Sequence, residues 1–128
     1  MIEWWAAFVA INGLIVLLLA LNVSRLRITQ RIPYGDGGNT NMNQAIRAHA
    51  NAVEHGVWMA LLLLAMALMR ADVELIAGLV GVYTLGRLAH VIGMLQRRFN
   101  FRRWGAAIMY FTQTVAVLAL FFIFFGVL

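Results

Sequence analysis

The sequence predicts an all-α integral membrane protein: a left-handed bundle of four transmembrane helices in a single domain, residues 1–128. Three observations predict it. The 128-residue chain is 63% hydrophobic and 12% charged, whereas soluble domains carry charge on about a quarter of their residues. The apolar residues gather in four stretches, 2–23, 49–69, 74–96 and 105–127, each close to the ~20 residues a helix needs to cross hydrocarbon. All ten basic residues are arginine and most lie in two of the connections, as expected where loops rather than spans carry the charge.

The first run reads as a membrane helix and not as a signal peptide. It is too long, begins with acidic Glu3, and lacks both a basic start and a small-residue cleavage pattern. The loop after it carries Arg25, Arg27, Arg31 and Arg47 against Asp36, and holds the glycine-rich segment Tyr34-Gly-Asp-Gly-Gly38. That segment is first a turn, with an anion-binding nest as the alternative. The second and third spans contain Ala60, Ala65, Gly78, Gly81, Gly86 and Gly93, small residues that let helices approach closely. A middle hairpin with only Arg70, Asp72 and Glu74 joins them, and the loop before the fourth span carries Arg97, Arg98, Arg102 and Arg103 with no acid. Short connections make neighbours antiparallel, the geometry of left-handed bundles. By the excess of arginine, loops 24–48 and 97–104 are expected in the cytoplasm and both termini on the opposite side.

That orientation gives the polar residues of different spans a common depth. Arg47, Asn51 and Glu54 stand at i, i+4 and i+7 on one face of the second helix. Arg87 and His90 enter the third span at matching depth. Charge at membrane depth is costly, ~2.5–3.5 kcal/mol for a central arginine, and is functional by default. Glu54 admits two readings, an ion pair with Arg87 or Arg47, or a carboxylate that holds a ligand ammonium. Asn51 is a ligand grip or glue between helices, and His90 orders Glu54 or a water. His49 lies about 200° around the helix from Arg47 and leaves the stripe, and His55 stands at its edge. Asn12 and Gln113 are expected to bond between helices. The tryptophans mostly mark the membrane boundaries.

The sequence contains no cysteine, so it has no disulfide, thiolate metal site or cysteine nucleophile of its own. Thiol chemistry here needs an outside thiol. No metal and no nucleic-acid partner are expected.

Arg25-Leu-Arg27, Tyr34-Gly-Asp-Gly-Gly38, Arg47-Ala-His-Ala-Asn51-Ala-Val-Glu54, Gly86-Arg87-Leu-Ala-His90 and the basic run Arg97 to Arg103 occur in this order over nearly the whole chain. Together they resemble the membrane-associated proteins in eicosanoid and glutathione metabolism, the MAPEG family, and in particular its small bacterial members. The resemblance implies a homotrimer in a bacterial inner membrane, with glutathione as co-substrate between protomers and a lipophilic substrate arriving from the bilayer. It implies transferase or peroxidase chemistry. Arg25, Arg47, Asn51, Glu54, Arg87 and His90 are the implied glutathione-binding residues, and Arg103 the implied thiolate-stabilising one. The chain departs from the family's pattern at Met94 and Ala107, where tyrosines are usual, although Tyr110 follows one turn later. It also has His55-Gly56-Val57-Trp58 where a proline commonly follows the glutamate.

Three other functions fit parts of the sequence. A non-catalytic membrane module would use the same basic face for a lipid or another amphipathic anion. A small proton-coupled exporter has this size, but the first span offers only Glu3 at its edge. A bis-histidine haem bundle would need His49, which points off the stripe.

Overall fold

The computed structural model describes residues 1–127 as four helices: α1 Ile2–Gln30, α2 Thr40–Leu68, α3 Val73–Leu95 and α4 Phe99–Phe124. All four are long and apolar enough to cross a membrane. Each contains most of the corresponding apolar run, but α1 and α2 extend well beyond theirs, at the arginine-rich end. Hydropathy marks only the length that hydrocarbon can cover, while helical hydrogen bonding continues into polar sequence until something caps it. At 1.5 Å per residue the 29 residues of α1 and of α2 span about 43 Å. That is roughly two turns more than the ~30 Å of hydrocarbon.

Local chemistry fixes the ends. Asn39 Oδ1 accepts from the Met42 amide at 3.0 Å and starts α2; Asp72 Oδ1 accepts from Glu74 and Leu75 and starts α3. Helix α1 stops at Arg31, which takes a left-handed conformation with φ 55° while the next amide returns to the Arg27 carbonyl. The Arg27 side chain donates to the carbonyls of Ile32 and Gly35. Asp36 accepts from the Gly38 amide at 3.0 Å and from Asn43 Nδ2 at 2.8 Å. The glycine-rich segment is therefore a turn closed by its own aspartate, not an open anion nest. Those two donors hold the Asp36 carboxyl below its ordinary value of 3.8, the Gly38 amide contributing most.

Among the described residues the backbones of α1 and α4 do not come close to each other; both pack on the α2–α3 pair. The main core lies toward the end remote from the two arginine-rich loops, built from Phe8, Met59, Leu63, Ile76, Tyr83 and Met109. Phe8 and Tyr83 meet edge to face at 5.4 Å. Leu14, Leu17, Leu18 and Leu21 of α1 stay exposed, the surface a helix offers to lipid. Trp4, Trp58 and Trp104 are exposed, whereas Trp5 donates its indole N–H to the Ala60 carbonyl at 3.0 Å and ties α1 to α2. Asn12 and Gln113 bond across helices as expected, to Thr84 and His55.

Lipid is as apolar as the side chains, so helices in a membrane associate through close packing. The α3–α4 contact is the tightest here. A Cβ on Gly93 would collide with the Arg102 backbone, and a Cβ on Gly105 with the His90 backbone. These two glycines bring the basic start of α4 against the histidine-bearing end of α3.

Candidate functional site

That close approach creates a basin of about 800 Å³ at the arginine-rich end. Helix α2 contributes Arg47 and Asn51, α3 contributes His90 and Met94, and α4 contributes Arg102 and Arg103. Three guanidinium groups line it and no acid does, so its field favours an anion. His90 is buried, and its Nδ1 is without a hydrogen-bond partner. A buried polar atom of this kind costs free energy unless something satisfies it. The rim is held by Arg97, which donates to Asn41 at 2.8 Å and to Gln44 at 3.3 Å. Arg103 lies over the Trp104 ring, 5.3 Å from its centroid.

Arg87 lies behind the basin. It is 1% exposed; Nη1 donates to Asn51 Oδ1 at 2.7 Å, and Nη2 to the Asn51 carbonyl at 3.3 Å and the Tyr83 hydroxyl at 3.0 Å. Every one of these partners is neutral. Hydrogen bonds to a charged group contribute roughly 1.5–3 kcal/mol each, enough to hold a guanidinium at this depth. Asn51 is thus both the glue and the wall: its side chain lines the basin while both of its oxygens hold Arg87.

Glu54 does not meet Arg87. Its nearest cation is Arg47, at 3.9 Å, and both side chains are just over half exposed. Such a long and open pair adds little to stability. Of the residues singled out in the sequence, Arg47, Asn51, His90 and Arg103 therefore share one basin, and Arg87 reaches it through Asn51. Glu54 stands beside Arg47 on the outer face, and Arg25 is bound to Asn22 on its own helix at 3.0 Å, apart from the basin.

The sequence reading missed Arg102 and Tyr83. Nothing along the chain separates Arg102 from the other arginines of the basic run; its place in the basin follows from contact with Gly93. Tyr83 had a readable signal, since it precedes Arg87 by four residues and shares its helix face. His55 also has a partner, with Nδ1 3.4 Å from Gln113 Oε1 and its ring 5.2 Å from that of Tyr110.

The comparisons with known proteins agree with this architecture. The sequence is 33% identical over 114 residues to the inner membrane protein YecN from two Escherichia coli strains, covering 89% of this chain and 87% of the relative. No solved structure matches it. The sequence model of the MAPEG family matches residues 5–123. With four membrane-spanning helices and a family match over nearly its whole length, the chain belongs to the MAPEG family.

Proposed function

We propose that the basin binds glutathione and presents its thiol, as thiolate, to a lipophilic electrophile or hydroperoxide, which makes the protein a membrane transferase or peroxidase. The observation that carries this reading is the convergence of Arg47, Arg102 and Arg103 with His90 in one basin that no acid lines. Glutathione brings two carboxylates, which suit paired guanidinium groups, and peptide groups that can engage His90 and Asn51. Arg103, in the second turn of α4, is placed to lower the thiol pKa, aided by the positive end of the helix dipole.

For an electrophile, the thiolate sulfur forms a bond to carbon and the leaving group departs with its electron pair. For a hydroperoxide, the sulfur attacks the terminal oxygen, the O–O bond breaks and the alcohol leaves after taking a proton. The resulting sulfenic acid condenses with a second glutathione to a disulfide and water. The bilayer concentrates the lipophilic partner beside the basin. In a homotrimer, the outward Glu54 and Arg25 would meet the glutathione of an adjacent protomer, with Glu54 receiving its ammonium. The arginine-rich end then faces the cytoplasm.

Thiolate absorbance of glutathione titrated with the purified protein tests the proposal. Saturable binding with a lowered thiol pKa is expected; no binding at millimolar glutathione removes it. A second reading is favoured by Met94 and Ala107, which line the basin where the family usually has tyrosine hydroxyls. It is a non-catalytic module whose arginines hold an anionic lipid headgroup. Co-purified lipid, with no turnover when glutathione is added, would establish that reading instead.

A further inference from the structure

Reduction of a hydroperoxide in the basin leaves an oxygen that must take a proton, and the arginines do not supply it. A guanidinium keeps its protons at any working pH. It stabilises a thiolate or a developing charge without acting as an acid. No carboxyl group lines the basin either, so the donor has to be one of its other polar residues.

A second hollow, of about 380 Å³, adjoins the basin between α2 and α4, where His55, Gln113 and Thr114 meet the apolar Val117 and Leu118. Tyr110 is the residue that lines both spaces. Its side chain is half exposed, so it stands at the threshold between the arginines and the bilayer, whereas His90 is 6% exposed and lines the basin only. Tyr110 is also held in place. Its ring is 5.2 Å from that of His55, whose Nδ1 is in turn 3.4 Å from Gln113 Oε1. Its carbonyl accepts from the Thr114 hydroxyl at 2.8 Å.

The direction of the reaction selects the same residue. Tyr110 follows Arg103 by seven residues, which puts it on the same face of α4 and about 10 Å farther into the apolar run. Ala106 and Ala107 line the basin between them, and their short side chains leave that length open. A thiolate held at Arg103 attacks the terminal oxygen of a hydroperoxide from the side opposite the O–O bond that breaks. The departing oxygen carries the hydrocarbon chain and so points away from Arg103, along α4 toward lipid. Tyr110 is the hydroxyl at that end.

We propose that Tyr110 is the general acid of the hydroperoxide reaction and that His55 positions it; the inference rests on the glutathione reading. The sulfur bonds to the terminal oxygen, the O–O bond breaks, and the phenolic proton passes to the departing oxygen, which leaves as the alcohol. A phenol is a far stronger acid than an alcohol, so this transfer runs downhill. The phenolate then takes the thiol proton of a second glutathione. The new thiolate displaces the hydroxyl of the sulfenic acid, which leaves as water with the proton released by the first thiol. One hydroperoxide and two thiols give one alcohol, one disulfide and one water.

Two reactions of the purified protein with glutathione in micelles test this role: reduction of cumene hydroperoxide, whose departing oxygen needs a proton, and conjugation of chlorodinitrobenzene, whose chloride needs none. In Tyr110→Phe the ratio of reduction to conjugation is expected to fall about 100-fold, the lower end of what a positioned acid contributes. His55→Phe keeps a ring against Tyr110 and should keep the native ratio, whereas His55→Ala should lower it. An unchanged ratio in Tyr110→Phe overturns the assignment. A parallel loss of both reactions overturns it too, since Tyr110 would then only shape the basin. A ratio that collapses in His55→Phe but not in Tyr110→Phe makes His55 the donor instead. Native protein that binds no glutathione removes the reading itself, and native protein that binds it yet reduces no hydroperoxide removes only the acid's role.

Discussion

Arg87 Nη1 and Asn51 Oδ1 are 2.7 Å apart, and this bond links a buried cation on α3 to the wall of the basin on α2. Asn51→Ala removes the side-chain acceptor and leaves the guanidinium charged and under-satisfied. A loss of about 1–3 kcal/mol is expected, read as a lower thermal transition in detergent. The double variant Asn51→Ala with Arg87→Met should recover much of it, because removing both members of a buried polar pair costs less than removing one. A double variant no more stable than Asn51→Ala alone would show that Arg87 is held by something else. Tyr83→Phe should cost less than Asn51→Ala, since the Tyr83 hydroxyl accepts over 3.0 Å where Asn51 Oδ1 accepts over 2.7 Å.

Close packing of α3 on α4 leads to a contrast between glycines. Gly93→Ala and Gly105→Ala place a methyl group against the backbone of Arg102 and His90, which side-chain rotation cannot relieve. Each is expected to destabilise by about 1–3 kcal/mol and to weaken anion binding, because both contacts set the basin's width. Gly78→Ala and Gly81→Ala meet nothing within 4 Å and should be neutral or slightly stabilising, given the ~1 kcal/mol helix preference of alanine. Melting curves of the four single variants decide the matter. Equal effects at all four positions would contradict the packing argument.

Charge at the basin and its outer face separates two steps of the proposed function. Arg103→Leu should raise the pKa of bound glutathione's thiol toward its free value while leaving most of the affinity. Glu54→Gln should weaken glutathione binding about 10-fold through the loss of one charge-assisted bond to its ammonium, with the thiol pKa unchanged at saturation. Under the lipid-module reading Glu54→Gln changes nothing. Isothermal titration and thiol absorbance distinguish these outcomes.

The spans were legible because hydrocarbon imposes length and apolarity on any helix that crosses it, and no folded context overrides that demand. The extent of α2 was not, because residues 40–48 include Asn41, Asn43, Gln44 and Arg47, which a hydropathy window reads as loop. Asn39 was nevertheless a readable cap. The i, i+4 spacing of Arg47 and Asn51 correctly put both on one wall, and depth matching correctly brought His90 to it. The sequence left the partner of Glu54 open between Arg87 and Arg47, and the structure pairs it with Arg47 at 3.9 Å. Glu54 looked available to Arg87, but it lies on an outer face, and Arg87 is enclosed by the nearer oxygens of Asn51 and Tyr83. Partner choice depends on rotation about the helix axis, and only the α2–α3 packing fixes that.

The first connection makes its own pH prediction. Asp36 is held below its ordinary 3.8 by the Gly38 amide and Asn43, so its folded pKa is lower than its unfolded one. The stabilising contribution is present in full above the unfolded value and is lost as pH falls through the folded one. Nothing should change between pH 7 and 5. Below about pH 4 the carboxyl takes a proton, the Asn43 bond weakens, and the turn preceding Thr40 loosens. Hydrogen exchange at Gly38 and in the first turn of α2 should accelerate only in that acid range. Asn43→Ala should raise the Asp36 pKa toward 3.8, while the Gly38 bond retains part of the shift. Asn43 and Thr40 line the basin, so this turn also sets where the mouth of the basin begins. If exchange in α2's first turn rises already between pH 7 and 5, a different group controls the connection.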